Sequence, residues 1–317
     1  MTGTELHGWV PVKTSASEND LICKWHFVNS EPFTAPFFED TMGQCYKYKE
    51  NNHRYKSYSS LQAMLQWGQG VDCLQPTAFI FHVSRCGSTL LSQALSLNSN
   101  YTCLSEVPFL DEMLRLPHRY PQVTEEQAGS FFQSALAFYA AKRSCKEEKL
   151  FIKLDSWHLM FYRQIRSLYP HTPFIILTRH PAEVVASHLR QRGIQCVPGL
   201  IEPSVYGFAQ AELQEIHPDE YLCKVLNKFY LQISAIHESD QNALVLDYSL
   251  GLEEQLNRIN NDTGLNIHLP AEQLSERLKY HAKHPEISFQ ENPLYLHHWL
   301  NLEPLLASYH SIKEKRI

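Results

Sequence analysis

The sequence predicts an α/β fold in which a parallel central sheet is flanked by helices, and three observations lead to this prediction. Short apolar runs with strand character alternate with helical stretches along most of the chain. The run 77–83 breaks at a glycine turn and resumes as a helix, and the run 173–178 passes into a helix that begins at a proline. Strands that are separated by helices form parallel sheets with right-handed crossovers.

The first 75 residues are the least regular part of the sequence. They hold aromatic clusters at 25–27 and 32–38 and a stretch rich in Lys, Asn and Tyr at 46–58. Aromatic side chains usually serve burial. We therefore predict that residues 1–75 form an accessory segment packed on the core and that residues 76–317 form the α/β domain. The alternative is that this segment helps to wall a binding pocket.

The elements of the α/β domain follow from apolar periodicity and from the positions of glycine and proline. Apolar residues recur at helical spacing within 125–142, and continuous apolar runs are typical of buried parallel strands. Two glycines and two prolines make 193–204 a loop that is placed to cover a substrate. We assign strands to 77–83, 151–154, 173–178 and 243–247, and helices to 125–142, 156–169, 182–191 and 219–238.

The turn SRCGST at 84–89 is built to hold an anion. The free amides at a helix start, together with the helix dipole, attract negative charge, and Gly87 lets the backbone approach a ligand closely. A nucleoside triphosphate loop would need a second glycine and a lysine, which are both missing here. The ligand is therefore predicted to be a phosphate other than simple ATP, bound by Arg85, Cys86, Gly87, Ser88, Thr89 and Leu90.

A second anion site is predicted at the end of the run 173–178. Arg179 lies at the tip of this strand, and Pro181 fits the first position of the next helix. Ser187 lies on that helix, eight residues after Arg179. The strand tip and the helix face therefore allow both side chains to reach one anionic group.

These two motifs, in this order and at this separation, resemble those of the sulfotransferase family, which uses 3′-phosphoadenosine 5′-phosphosulfate (PAPS) as sulfuryl donor. The stretch SRCGSTLL is similar to the family's 5′-phosphosulfate loop, and LTRHPAEVVAS is similar to its 3′-phosphate motif. A strand, a tyrosine and a helix within 243–265 resemble a third family segment. The resemblance implies a P-loop nucleotide-binding fold and sulfuryl transfer from PAPS to a hydroxyl or amine of a small-molecule acceptor.

The resemblance also suggests catalytic residues. Arg85 is the candidate that stabilises the leaving phosphate. Glu106 follows the next predicted strand, where some sulfotransferases place a catalytic glutamate, and it is the first choice for the general base. Lys153 and Asp155 form a competing pair: cytosolic family members often have a lysine and, two residues later, a histidine, whose place Asp155 takes. The base assignment therefore stays open between Glu106 and Asp155.

Composition excludes several other classes. A formal charge of −6 argues against nucleic-acid or anionic membrane partners. The sequence has no signal-like or membrane-spanning apolar stretch, and its eight cysteines form no C-x-x-C pair, so we expect a cytoplasmic protein without disulfides. No metal is predicted, although His281, His284, His297 and His298 cluster near the C-terminus, where Lys283 is a candidate for a donor phosphate.

Two alternative functions remain open at this point. One is a P-loop phosphotransferase that uses ATP and magnesium, which the missing loop lysine and the Arg179 and Ser187 pair disfavour. The other is a non-catalytic nucleotide-binding protein with the same fold. The acceptor, the adenine-binding residues and the oligomeric state are not predicted.

Overall fold

The structure is a computed structural model that describes residues 6–17, 20–143, 146–277, 279 and 296–314. Its strands are β1 (Trp9–Ala16), β2 (Leu21–Phe27), β3 (Tyr58–Ser60), β4 (Ala78–His82), β5 (Tyr101–Ser105), β6 (Lys149–Lys153), β7 (Phe174–Thr178) and β8 (Ala243–Asp247). Its α-helices are α1 (Phe38–Gln44), α2 (Lys49–Asn52), α3 (Leu61–Gly68), α4 (Ser88–Leu95), α5 (Pro108–Arg119), α6 (Glu125–Tyr139), α7 (Tyr162–Leu168), α8 (Pro181–Arg190), α9 (Pro218–Ser239), α10 (Gly251–Thr263), α11 (Ala271–Arg277) and α12 (Glu303–Glu314).

The central sheet contains five parallel strands in the order β5-β6-β4-β7-β8. Every residue of β4, β5 and β7 is buried, and for β4 and β7 this explains why the sequence is a nearly continuous apolar run. The predicted parallel α/β fold is confirmed. Because all five strands run the same way, their carboxyl ends meet at one edge of the sheet, where α/β proteins bind ligands.

The N-terminal residues form a small antiparallel sheet in the order β1-β2-β3. This sheet packs against α5 and α6: the Tyr139 hydroxyl donates to the Pro11 carbonyl, and the Trp25 ring meets the Phe138 ring edge-on at 4.8 Å. Ser134 of α6 donates to the Met64 carbonyl of α3 at 2.8 Å. The division into segments 1–75 and 76–317 stays a prediction.

Two predicted helices differ in detail from those in the structure. Helix α6 ends at Tyr139 instead of continuing to 142, because the chain then forms a bridge between Ala141 and Cys73. The predicted helix 156–169 begins as a 3₁₀ helix, Ser156–Phe161, before α7. Its first turn is held by tertiary hydrogen bonds that sequence periodicity does not reveal.

The C-terminal helix α12 packs on α9 beside the central sheet. Its Tyr309 hydroxyl donates to Asp247 Oδ2 at 2.8 Å, at the end of β8. Within the described ranges, no helix combines the length and apolar character needed to cross a bilayer.

Candidate functional site

A cavity of about 700 Å³ lies at the carboxyl edge of the parallel sheet. Each of the five strands supplies lining residues at or just beyond its end: His82, Glu106, Asp155, Arg179 and Tyr248. All the residues predicted for the site line this cavity except Lys153, which lies buried behind it. The residues predicted from the two anion motifs and from the strand ends therefore lie around one cavity.

The anion turn adopts a backbone that suits a bound ligand. Gly87 precedes α4 with φ +79°, and a Cβ placed on it would come within 3.0 Å of the Tyr248 ring. Ser84 and Arg85 also take positive φ values, of 72° and 53°. Such conformations cost energy for non-glycine residues and are concentrated at functional sites.

Hydroxyl groups around the cavity are available to a ligand. The side chains of Ser88, Thr89 and Ser187 line the cavity, and within the described ranges none of their hydroxyls has a hydrogen-bond partner. Ser88 and Thr89 begin α4, and Ser187 lies on α8. The start of α4 and three hydroxyls therefore face the same space.

Arg179 connects the two anion motifs. Its Nη1 donates to the Arg85 carbonyl at 3.1 Å, and its guanidinium lies over the Tyr248 ring at 4.1 Å. Its Nε donates to Glu183 at 2.6 Å, one turn along α8. Arg85 is held in turn by its own bond from Nη2 to the Gln191 carbonyl at 2.5 Å. We call Arg85, Arg179 and the starts of α4 and α8 the cationic half of the cavity.

Cys86 is part of the loop but carries no reactive thiolate. It is buried, and this burial raises the pKa of its thiol to about 11. A helix start and a nearby arginine would lower that pKa, but removal from water has the larger effect. Cys86 fills a small space in the loop.

Glu106 forms a buried ion pair with Lys153. Both contacts of its carboxylate fall on Oε1: Lys153 Nζ donates to it, and His82 Nε2 lies 3.5 Å away. Burial would raise the pKa of Glu106, but the charge of Lys153 holds it well below its ordinary value. Oε2 has no partner in the described part of the chain. Like Ser84 and Arg85, Glu106 has a positive φ, of 53°.

His82 is held in its neutral form. Its Nδ1 accepts the Ser84 N–H at 3.0 Å, so that Nε2 carries the proton and donates to the Leu154 carbonyl at 2.9 Å. Burial lowers the pKa of His82, which agrees with this assignment. Lys153 is therefore the cation that balances Glu106.

Asp155 lies opposite the cationic half, beside a hydrogen-bonded cluster around Asp111. Asp111 accepts from Trp157 Nε1 at 2.6 Å, from His158 Nε2 at 2.9 Å and from Arg115 Nη1 at 2.7 Å. Burial, and then the charges of Glu106 and Asp111, raise the pKa of Asp155 well above its ordinary value. We call Glu106, Asp155 and Trp157 the carboxylate half of the cavity.

Asp111, Asp155 and His158 lie close enough together to be considered as metal ligands. However, His158 Nδ1 accepts the Asp155 backbone N–H at 3.2 Å, and Nε2 is committed to Asp111. Both oxygens of Asp111 also have protein donors. Protein hydrogen bonds thus occupy most of the donor atoms that a metal would need.

Comparison with known proteins supports the resemblance to sulfotransferases. Residues 76–198, less than half of the chain, match the model of the sulfotransferase family. The similarity of this part of the chain to that family is therefore confirmed. The matched segment contains every residue predicted for the site, from Arg85 to Ser187. The match supports sulfuryl transfer as the general class of activity.

Several solved structures are similar to this chain. The sulfotransferase domain from the curacin biosynthetic pathway is 17% identical, and the match covers 67% of this chain and 81% of that domain with a TM-score of 0.44. The corresponding domain of the Synechococcus PCC 7002 olefin synthase is 14% identical, with 77% and 95% covered and a TM-score of 0.45. A sulfotransferase from Alicyclobacillus acidocaldarius is 13% identical, with 68% and 96% covered and a TM-score of 0.38. No curated protein matches the sequence.

The sequence did not assign several lining residues. Tyr248, Ser249, Gly251, Leu252 and Gln255 reach the cavity from the end of β8 and the start of α10. They lie within the strand, tyrosine and helix segment that carries the third family resemblance, which is the signal that would have found them. Ile194 and Gln195 line the cavity from the predicted loop 193–204.

The C-terminal candidates contribute nothing that the structure describes near the cavity. Lys283, His281 and His284 lie outside the described residues. His297 and His298 are described, and His297 Nε2 lies 3.6 Å from Asp219. Their assignment stays a prediction.

Proposed function

We propose that this sulfotransferase moves a sulfuryl group from PAPS to a hydroxyl or amine of a small-molecule acceptor. One observation carries the proposal: two anion-binding turns, joined by the 3.1 Å bond from Arg179 to the Arg85 carbonyl, share one cavity with a carboxylate that has a free oxygen. A donor with two separate phosphate groups suits two linked cationic turns. A carboxylate opposite them suits removal of a proton from an acceptor.

The donor is placed by the cationic half. The α4 amides and the hydroxyls of Ser88 and Thr89 bind the 5′-phosphosulfate, while Arg179 and Ser187 bind the 3′-phosphate. Arg85 stabilises the charge that develops on the leaving phosphate. The ring of Tyr248, which lies under Arg179, keeps that guanidinium in place.

The transfer step needs one base and one stabilised leaving group. The acceptor oxygen or nitrogen forms a bond to sulfur while the bond between sulfur and the phosphate oxygen breaks. Adenosine 3′,5′-bisphosphate leaves with that electron pair, and Glu106 Oε2 receives the acceptor proton. Lys153 keeps Glu106 ionised before the reaction and holds Oε1, so that Oε2 is the atom presented to the acceptor.

Asp155 is the competing base. It lines the same cavity, and its raised pKa would make it the stronger base once ionised. A carboxyl that is protonated when the cavity is empty must first lose its proton, whereas Glu106 is already ionised. We therefore place the base at Glu106 and keep Asp155 as the alternative for kinetic tests.

Donor recognition is tested by ligand-induced stabilisation. Adenosine 3′,5′-bisphosphate should raise the melting temperature more than AMP or ATP, because ligand binding to the folded state stabilises it according to affinity. Arg179→Ala should remove the preference for the bisphosphate, while Arg163→Ala, at an exposed arginine of α7, should keep it. Equal stabilisation by AMP would contradict a 3′-phosphate site.

Catalysis is tested separately by incubation with PAPS and pools of small alcohols, phenols and amines. Mass spectrometry of the products should show a sulfated acceptor that the Glu106→Gln variant does not form. Bisphosphate binding without any turnover would support the non-catalytic alternative.

A further inference from the structure

The carboxylate of Asp155 is buried at the cavity wall without a hydrogen-bond partner. Only 9% of the residue is exposed, and its side chain does not cap the 3₁₀ helix that follows. The nearest polar nitrogen of a side chain, His158 Nε2, is 4.0 Å from Oδ2 and already donates to Asp111. In the ranges that the structure describes, no side chain or backbone group satisfies this carboxylate.

The cations around Asp155 are already used by other carboxylates. Lys153 pairs with Glu106, and Arg115 is shared between Asp111 and Glu202, at 2.7 and 2.6 Å. Both ring nitrogens of His158 are also engaged, since Nδ1 accepts a backbone N–H and Nε2 donates to Asp111. The described protein cations therefore leave no partner for Asp155 in its ionised form.

A buried carboxylate without a counter-charge is unfavourable unless a ligand supplies the missing positive charge. The indole of Trp157 lines the cavity next to Asp155, and its N–H is fixed on Asp111. A carboxylate and an aromatic side chain that line the same cavity are the combination that binds an ammonium group, through an ion pair and a cation–π contact.

We propose that the acceptor of this sulfotransferase carries a cationic amine, which Asp155 and Trp157 bind, in addition to the hydroxyl that is sulfated. This inference rests on the proposed function and specifies the substrate class of the same cavity. The cationic half takes the anionic donor, and the carboxylate half takes the cationic acceptor. The amine fixes the acceptor so that its hydroxyl faces Glu106 Oε2.

The raised pKa of Asp155 fits this role. In the empty cavity the carboxyl tends to hold a proton, because burial and the neighbouring carboxylates disfavour its charge. An arriving ammonium group removes that penalty, so that Asp155 ionises when the acceptor binds. A neutral alcohol of the same size offers no such compensation.

Matched pairs of probes test the proposal without turnover. Binding of tyramine and tyrosol, and of aminohexanol and hexanediol, is measured by calorimetry on the full chain saturated with adenosine 3′,5′-bisphosphate. Each pair differs by an ammonium in place of a neutral hydroxyl. The cationic member should bind about tenfold or more tightly, as expected for a charge-assisted hydrogen bond.

The preference should depend on Asp155 specifically. Asp155→Asn should abolish it, Asp155→Glu should retain part of it, and Asp72→Asn, at an exposed carboxylate, should leave it unchanged. Glu106→Gln should lose turnover but keep the preference. Bisphosphate binding in each variant shows that the fold is intact.

Three results would overturn the proposal: equal binding within both pairs, no binding of any of the four probes, or a preference that survives in Asp155→Asn. Competition by magnesium or zinc that removes amine binding would assign Asp155 to a metal instead. If the bisphosphate itself fails to bind, the proposed donor is wrong, whereas bisphosphate binding without amine preference refutes the amine site alone.

Discussion

The two halves of the cavity are built in different ways. The cationic half comes from short stretches of sequence, in which a strand end, a turn and a helix start follow one another at 84–90 and 179–187. The carboxylate half joins side chains from separate elements, and the charge of each depends on distant partners such as Lys153 and Arg115. The first half can be recognised locally, while the second takes its chemistry from packing.

Substitutions in the two halves should therefore have different effects. A change in the cationic half removes a proposed contact with the donor and breaks only local contacts between the two turns. A change in the carboxylate half also unbalances a buried charge, so that effects on turnover, acceptor binding and stability are mixed. Experiments on this half therefore need paired variants.

The largest effect is expected for Glu106→Gln. This change keeps the size of the side chain but removes its basicity, so turnover should fall about 10² to 10⁴-fold while bisphosphate affinity is retained. Single-turnover kinetics and calorimetry on the same preparation measure both quantities. Because the change leaves Lys153 buried without its partner, the double variant Glu106→Gln with Lys153→Met serves as the matched neutral pair. A larger loss of turnover in Asp155→Asn would transfer the role of base to Asp155.

Arg179→Ala and Arg85→Lys should separate donor binding from catalysis. Loss of Arg179 removes a charge-assisted contact, which is expected to weaken bisphosphate binding about tenfold or more with a smaller change in kcat. Arg85→Lys keeps the charge but loses the forked geometry, so kcat should fall more than donor affinity. Initial-rate kinetics over a range of donor concentrations measure the two constants. If Arg179→Ala lowered kcat more than donor affinity, and Arg85→Lys lowered donor affinity more than kcat, then Arg85 would be the donor-binding residue and Arg179 the residue that stabilises the leaving group.

The pH dependence of kcat/KM distinguishes the two candidate bases. The pKa of Glu106 is held below its ordinary value of 4.5, so if Glu106 is the base, its ionisation produces no acidic limb until well below that pH. The pKa of Asp155 is raised above 3.8, so if Asp155 is the base, activity is lost progressively as the pH falls through that higher value. Rate profiles from about pH 4 to 9, measured with a neutral acceptor, would show which carboxylate titrates.

The smallest predicted effect concerns stability. A carboxyl whose folded pKa is raised destabilises the fold above its unfolded pKa of 3.8, and this cost grows with pH until the folded pKa is reached. Asp155→Asn should therefore raise the melting temperature near pH 7 by about 2 °C or more, since each shifted pKa unit is worth about 1.4 kcal/mol. Near pH 3 the variant and the natural protein should have the same melting temperature. A lower melting temperature of the Asp155→Asn variant at neutral pH would indicate that Asp155 is ionised and paired in the ligand-free protein.

The sequence predicted the parallel sheet because its strands are short apolar runs, and it located both anion turns because each is a continuous motif. It also placed Glu106, Asp155 and Arg179 at strand ends, which the parallel order brings to one edge. Tyr248 and Gln255 were missed because they belong to no local anion motif and reach the cavity only through the position of β8 beside β7. Trp157 was missed because its indole is directed by Asp111, forty-six residues away in the chain.

The sequence by itself thus located the two turns at which we propose that phosphates bind, because backbone amides, glycine freedom and helix dipoles are fixed by residues that are neighbours in the chain. Only the tertiary structure decided which carboxylate is balanced and which is not. The pKa of a buried group depends on loss of water and on charges within a few ångströms. For Glu106 that charge is Lys153, whereas for Asp155 the carboxylates of Glu106 and Asp111 outweigh the cations Lys153 and Arg115. This contrast arises only when the separate strand ends are packed together.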